Sequence, residues 1–373
     1  MHCLIVSPIP SHPQFQGNSA RIHRMGRCLQ ALGYRVHFLY YPLEGLDPQQ
    51  REDMSADWDY FYSLPCDLPT GGQMSQEDHY GIDDWYDPRV GDLAAELHRR
   101  WNYRLVLVNY VWFSGVLEAL PDEVFKVVDT HDVFGDRHLR SIEAGMPPEW
   151  FYTTVEEDLR GLRRANLVVA IQDQERDHYR ALGLPRVETV GFITPQRQAA
   201  PRPRPRIAVG YLASSNPWNV NGFEKLVDAL AAHPDLGTQA DFLLAGPICG
   251  KIAQHRLGPF RPLGMVDRVD DFYAQVDIAL NPMLGGTGLK IKTVEALSFG
   301  TGVLSTVDGF TGIASPHPEH HCPTLESLAA RLAGLLAEGG AAVEALQRNS
   351  REVFTEYQAL QIRALNALFK PET

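Results

Sequence analysis

Residues 199–206 read Ala-Ala-Pro-Arg-Pro-Arg-Pro-Arg, and this run constrains the fold more than any other. Alternating proline removes backbone donors and blocks the helical path, so the segment is a stiff, extended linker that neither a helix nor an interior strand can absorb. The chain must therefore build two separate cores. Its 373 residues suit two domains of ordinary size. With 44% hydrophobic and 21% charged residues, both halves have the composition of folded protein.

The first half opens as strand, loop, helix, strand. Leu4-Ile5-Val6 is a short apolar run of the kind found in buried parallel strands. A loop from Pro8 to Gly17 follows, and Asn18 or Ser19 is placed to cap a helix with Ile22, Met25, Leu29 and Leu32 at helical spacing. Gly33 marks its end, and Tyr34 to Tyr41 reads as the next strand. Such a βαβ unit seeds a doubly wound sheet. Further strands are predicted at 105–109, 125–129 and 167–171, with a helix between Glu156 and Arg164. Beyond the linker a second α/β series begins: strands at 207–212, 241–245, 278–281 and 302–306, helices from Gly222 and from about Thr287, and helix from Glu326 to the end. The expected domains are residues 1–198, a linker at 199–206, and residues 207–350. A final helix from 351 to 373 is expected to pack back on the first domain.

The segment from Asp277 to Gly302 carries the strongest chemical signal. A strand ends at Asn281-Pro282, and Gly285, Gly286 and Gly288 then allow a tight turn with no Cβ between backbone and ligand. The helix that follows points its unpaired N–H groups and positive end at this loop, with Lys290 or Lys292 adding a full charge, so the segment is a ready anion site. Glu295 lies seven residues after Gly288, so the spacing predicts both on one helix face, about 10 Å apart along the axis. Phosphates at the helix tip and a carboxylate for ribose hydroxyls together describe a nucleotide-shaped site. No GxxxxGK[ST] loop is present and no GxGxxG follows the first strand, so ATP-hydrolysing and dinucleotide-binding readings lose their support.

Net charge is −12, and its placement excludes partners. Residues 44–96 alone hold 14 acids against Arg51 and Arg89. A nucleic-acid binder needs the opposite sign over a broad face, and simple adhesion to anionic lipid is disfavoured as well. The five cysteines are scattered, with no CxxC pair, and read as thiols rather than disulfides or a zinc site. No apolar run approaches the ~20 residues of a membrane span, and the N-terminus has no targeting pattern, so a cytoplasmic chain is expected, with at most peripheral membrane contact.

The 277–302 run resembles the donor-site signature of retaining glycosyltransferase family 4 enzymes, which have the GT-B fold. Other segments match in order: Gly17-Asn18-Ser19-Ala20-Arg21, Asp129-Thr130-His131-Asp132-Val133, Ser214-Ser215-Asn216-Pro217, Leu244-Ala245-Gly246 and Leu263-Gly264-Met265-Val266. The resemblance spans nearly the whole chain and is more specific in the second half. It implies an α/β chain of two doubly wound, Rossmann-like domains facing across a cleft, with a nucleotide-sugar donor held mainly by the second. On this resemblance Glu295 binds ribose hydroxyls. Gly285, Gly286, Thr287, Gly288 and Leu289 hold diphosphate and sugar, with Lys290 as the neutralising charge. Ser214 and Asn216 border the diphosphate, Val266 meets the base, and Gly17 and Asn18 close over the phosphates from the first domain. No cofactor and no metal are expected, only the donor and a carbohydrate or glycoconjugate acceptor.

Two departures stand out. Many members carry two glutamates flanking this motif, and the position eight before Glu295 is Thr287, so the carboxylate that touches the transferred sugar is absent. The Ser214–Pro217 loop lacks a basic pair, leaving Lys290 and Lys292 to supply charge.

By its residues alone, His131, after a strand and among Asp129, Asp132, Asp136 and His138, could be a metal ligand, a general base or part of a hydrogen-bonded loop. Metal is the weakest of these on spacing. The resemblance makes it a catalytic-face histidine that contacts the donor sugar and supports an oxocarbenium-like transition state. The acidic stretch is also aromatic (Trp58, Tyr60, Phe61, Tyr62, Tyr80, Trp85, Tyr86). It reads either as inward packing with acids in solvent or as an acceptor platform using Trp85, Tyr86 and Asp132. Two other functions fit the same pattern: a nucleotide-sugar epimerase, and a catalytically silent nucleotide-sugar-binding partner.

Overall fold

The computed structural model describes residues 1–67, 72–197, 205–266 and 268–371. Residues 199–204, most of the expected linker, lie outside the described residues. The chain divides into two compact units, Met1–Ile193 joined by residues from Gln361 on, and Thr194–Leu360.

The first unit is built on β1 (His2–Ser7), β2 (Arg35–Tyr40), β3 (Tyr60–Ser63), β4 (Leu105–Asn109), β5 (Phe125–Asp129), β6 (Leu167–Ala170) and β7 (Val187–Thr189). They form one parallel sheet in the order β3-β2-β1-β4-β5-β6-β7. Helices α1 (Gly17–Ala31), α2 (Pro48–Asp57), α3 (Pro88–Trp101), α4 (Arg137–Glu143), α5 (Val155–Leu162) and α6 (Asp173–Ala181) connect the strands. β1 and β4 are buried along nearly their whole length, which is why both read as unbroken apolar runs. Ile22, Met25 and Leu29 line the buried face of α1 as the spacing predicts, but that face also buries Ser19, Ala20 and Arg21. α1 starts at Gly17, with Gln16 as its cap residue, rather than after an Asn18 or Ser19 cap. The Asn18 Oδ1 instead accepts from the Ser19 N–H at 2.8 Å.

The second unit carries β8 (Ile207–Leu212), β9 (Ala240–Ala245), β10 (Phe260–Gly264), β11 (Ile278–Asn281) and β12 (Gly302–Ser305), parallel in the order β10-β9-β8-β11-β12. Its helices are α7 (Pro217–Leu230), α8 (Leu236–Gln239), α9 (Val269–Tyr273), α10 (Ile291–Ser298), α11 (Leu325–Glu338) and α12 (Gly340–Phe369). α7 begins at Pro217, not at Gly222, because Asn216 caps it through the Trp218 N–H at 2.9 Å and Pro217 fixes the first helical φ. α10 begins at Ile291 rather than near Thr287, because the glycines before it take left-handed backbone angles that no helix accepts. The terminal helical stretch is two helices, parted at Gly339, whose φ is +81°. Leu365 and Phe369, at the end of α12, belong to the core of the first unit. The change of unit along α12 falls at Gln361, further on than Arg351.

The acidic, aromatic stretch forms α2, β3 and α3. Met54, Trp58, Ile82, Trp85 and Val90 are buried in the first unit's core. The aromatics are drawn inward because the parallel sheet needs a covered face, while most acids between them reach water; Asp87 is buried and accepts from the Tyr41 hydroxyl at 2.8 Å. All five cysteines are free thiols.

Candidate functional site

In an open parallel sheet, ligands gather beyond the carboxyl ends of strands where the strand order reverses. The second unit reverses between β8 and β11. The loops leaving those strands carry Ser214, Asn216 and the whole glycine segment.

Gly285, Gly286 and Gly288 have φ of +137°, +83° and +76°. A Cβ on Gly285 would stand 2.6 Å from the Trp218 ring, so the loop lies directly against the first turn of α7. Lys290 is 8% exposed. Its Nζ donates to the carbonyls of Gly286, Thr287 and Gly288 at 3.2, 3.0 and 2.9 Å. The ammonium thus holds the bend from inside, and any anion bound by the loop meets a charge that is already desolvated and fixed.

Lys292 differs from expectation. Its Nζ donates to the Tyr211 hydroxyl at 2.9 Å and to the Asn219 Oδ1, over the Tyr211 ring. Its partners lie on β8 and α7, so it does not face the loop as a second charge, and burial, with Lys290 nearby, pushes this amine well below the usual lysine range.

Asn219 also donates to the Ser214 carbonyl and Oγ at 3.2 and 3.0 Å, which fixes the β8 loop. Asn216 uses its Oδ1 to cap α7. Glu295 sits half-buried on α10, but Gly288 precedes that helix, so the two do not share a helix face. Val266 is half-exposed just after β10. Sequence reasoning missed Trp218, Asn219, Asn281 and Thr293. Asn281 Nδ2 donates to Thr293 Oγ1 at 2.7 Å and to the Gly309 carbonyl at 2.9 Å, pinning α10 to the end of β11. Only the Asn281-Pro282 strand end signalled any of this.

The first unit reverses between β1 and β4. There Asn18 bonds the Tyr110 hydroxyl, and the Tyr110 ring stacks on His131 with centroids 4.2 Å apart. His131 Nε2 lies 2.9 Å from Asn109 Oδ1. Asn109 gives its Nδ2 proton to the Val6 carbonyl at 3.2 Å, so Oδ1 faces the imidazole and Nε2 carries the hydrogen. Burial lowers the imidazole's pKa to about 4, although Asp129, 3.8 Å away, works the other way. His131 is therefore neutral at physiological pH. Its backbone is left-handed, φ +60°, as is that of Tyr110 at +72°.

Beneath this stack runs a buried ion pair absent from the sequence reading. Arg21 donates to both oxygens of Asp129, the shortest contact being 2.6 Å, and to the carbonyls of Val190 and Gly191. Every charge is met by a partner, which is what burial of such a pair requires. Two further buried acids were also missed: burial raises Asp158 to about 7 and Glu175 to about 8, the latter with help from Asp132.

The acceptor platform is corrected in part. Trp85 is 4% exposed and packs among Trp112, Tyr80 and Phe151, so it offers no face to a ligand. Tyr86 lies edge-on to Phe113 and against Gly115. Asp132 accepts from the Val133 N–H and faces Arg137 at 3.6 Å.

Residues 16–191 match the model of the glycosyl transferase 4-like domain, and residues 206–338 match that of glycosyl transferases group 1. The chain carries the two domains of a GT-B glycosyltransferase. Among solved structures, this glycosyltransferase is similar to sucrose-phosphate synthase from Thermosynechococcus elongatus, at 16% identity and a TM-score of 0.73, covering 99% of this chain and 98% of that one. It is likewise similar to Anabaena HepE, solved with UDP and with UDP and glucose; the UDP complex gives 13% identity, TM-score 0.66, and coverage of 99% and 98%. A glycosyltransferase from Rickettsia africae gives 13%, 0.65, and coverage of 99% and 97%. No curated protein matches the sequence. At these identities the structures establish the fold, two Rossmann-like domains of the GT-B type. Among the described residues, no helix of the glycosyltransferase is long and apolar enough to cross a membrane.

Proposed function

We propose that the enzyme transfers a sugar from a nucleoside diphosphate donor to a hydroxyl of a carbohydrate or glycoconjugate acceptor, with retention at the anomeric carbon. The observation that carries the reading is the bend at Gly285–Gly288, closed from within by Lys290 at the head of α10. Breaking a sugar–phosphate bond builds positive charge on the anomeric carbon and negative charge on the diphosphate. Fixed amides, a helix N-terminus and a desolvated ammonium stabilise the departing anion without reorganising. Solved complexes of HepE with UDP and with UDP and glucose support a donor of this class.

In this reading Glu295 takes the ribose hydroxyls and the β8 loop at Ser214 and Asn216 borders the phosphates. In the first unit, His131 and Asn18 are the residues whose chemistry suits a sugar and its phosphates. A neutral imidazole suits contact with a sugar that is becoming cationic, because it adds no opposing charge. The leaving phosphate then takes the acceptor's proton. Positive charge comes from Lys290 and α10, so the proposal uses no metal at the donor.

Incubation with UDP-, GDP-, ADP- and dTDP-sugars tests it. Slow release of free nucleoside diphosphate, accelerated by an acceptor and giving a product with the donor's anomeric configuration, is expected. Interconversion of the donor sugar means epimerisation instead, and binding without turnover means a silent partner.

A further inference from the structure

His12, His23 and Asp57 come from three separate segments of the first unit: the loop after β1, the second turn of α1, and the last residue of α2. One ligand atom from each lies within 4.8 Å of the others. His12 Nε2 and His23 Nε2 both address Asp57 Oδ2, at 3.4 and 2.7 Å. For bonds of about 2.1 Å at tetrahedral angles, ligand atoms sit roughly 3.4 Å apart, so the first separation already fits and the second needs widening by less than an ångström.

The surroundings are arranged around this point. The Trp58 indole N–H, which can only donate, donates to Ser11 Oγ at 3.0 Å, and His12 Nδ1 lies 3.0 Å from the same oxygen. Without an ion, His12 hydrogen-bonds Asp57; because Ser11 Oγ can also accept from Nδ1–H, the tautomer that offers its Nε2 lone pair to a metal keeps a partner for its proton. Nothing bonds His23 Nδ1, and His23 Nε2 gives its hydrogen to Asp57 Oδ2 at 2.7 Å, so an ion bound at Nε2 takes the place of that proton. Arg27 takes the other carboxylate oxygen, Oδ1, at 3.2 Å, and its own side chain is half-exposed. All three candidate ligands are only partly exposed, His12 and His23 at 13% each and Asp57 at 27%.

We infer that His12, His23 and Asp57 form a binding site for a single divalent transition-metal ion of the zinc class. Two imidazole nitrogens are borderline donors, and beside a single hard carboxylate oxygen they favour such an ion over Mg²⁺ or Ca²⁺. Three protein ligands leave one position for water. The ion clamps the loop after β1, which leads into Gly17 and Asn18, to the end of α2. That loop is already tied to α2 by the Gln50 side-chain bond to the His12 carbonyl at 3.2 Å, and to the cap residue that ends α2 by the Trp58–Ser11 bond. The site is independent of the proposed reaction.

The test uses the full chain, stripped with chelator and titrated with Zn²⁺ by calorimetry, and with Co²⁺ as a spectroscopic probe. One equivalent is expected to bind, with visible d–d bands, no thiolate charge-transfer band, and no competition from Mg²⁺. Saturation is expected to raise the melting temperature by about 5 °C. His12→Asn and His23→Gln, whose amides can still reach Asp57, are expected to weaken Zn²⁺ binding at least about 10-fold while melting like the metal-free parent. Binding that is undetectable, unchanged in both variants, or accompanied by a thiolate band overturns the inference. Should a variant not fold, the Co²⁺ spectrum of the unaltered chain decides: imidazole-type d–d bands support the site and their absence overturns it.

Discussion

Replacing Lys290 by methionine keeps the length and apolar stem of the side chain and deletes only the ammonium. Three carbonyls, of Gly286, Thr287 and Gly288, then lose their shared donor. A hydrogen bond to a charged group contributes about 1.5–3 kcal/mol net, but these carbonyls can turn partly to water, so the loop as a whole loses on the order of 2–3 kcal/mol. The same change removes the fixed charge that would meet the developing diphosphate anion. Loss of one such preorganised group typically lowers turnover about 10²-fold or more, close to 2.7 kcal/mol in the barrier. The expected result in a nucleoside diphosphate release assay, with the best donor from the panel, is a fall in kcat of that size at saturating donor. Unfolding of the variant should remain cooperative. Lys290→Arg is not expected to rescue, because a planar guanidinium cannot aim three donors at one small ring of carbonyls. Wild-type turnover by the methionine variant, with normal donor affinity, refutes both the loop-building role and the electrostatic one.

Gly285→Ala forces a Cβ to 2.6 Å from the Trp218 ring at a φ of +137°, so donor affinity by calorimetry should fall at least about 10-fold. Adding Trp218→Ala should recover part of that loss by removing the collision, and no recovery means that backbone conformation alone is responsible. Trp85→Ala should cost about 3–5 kcal/mol of stability in denaturant titration and leave acceptor KM unchanged, because the ring is buried. Glu175 keeps its proton in the folded state to a pH of about 8, so folding binds a proton between the normal glutamate range and pH 8, and the stability present at acid pH is lost as pH rises through that window. Glu175→Gln should flatten this slope and add on the order of 3 kcal/mol at pH 8 relative to the parent, measured by urea unfolding at pH 5 and 8. His131 shifts the opposite way, to about 4, so its contribution is complete above the normal histidine range and fades as pH falls toward 4. The pH–rate profile should accordingly show no histidine ionisation from residue 131 between pH 5 and 8.

What the sequence determined by itself is the α/β architecture and the location of the glycine bend ahead of α10. Both are written in local terms. Buried parallel strands must be continuous apolar runs, as at Leu105–Asn109 and Ile278–Asn281, and a bend whose backbone takes positive φ ahead of a helix needs glycine, as at 285, 286 and 288. Helix starts were less legible. The start at Pro217 rests on a cap whose apolar face comes later, and the one at Ile291 on backbone angles that a residue list does not state.

Only the tertiary structure decided what the charged and aromatic side chains do. Lys290 and Lys292 are two positions apart on the chain. One still belongs to the bend and closes it, while the other lies inside the first turn of α10 and is carried to Tyr211 and Asn219. Arg21 and Asp129 lie far apart in sequence and meet because β1 and β5 flank β4 in one sheet. Trp85 looked available for a ligand and is instead claimed by Trp112 and Phe151. A side chain's partner is set by which strands become neighbours, and that information is spread over the whole chain rather than held in any one stretch of it.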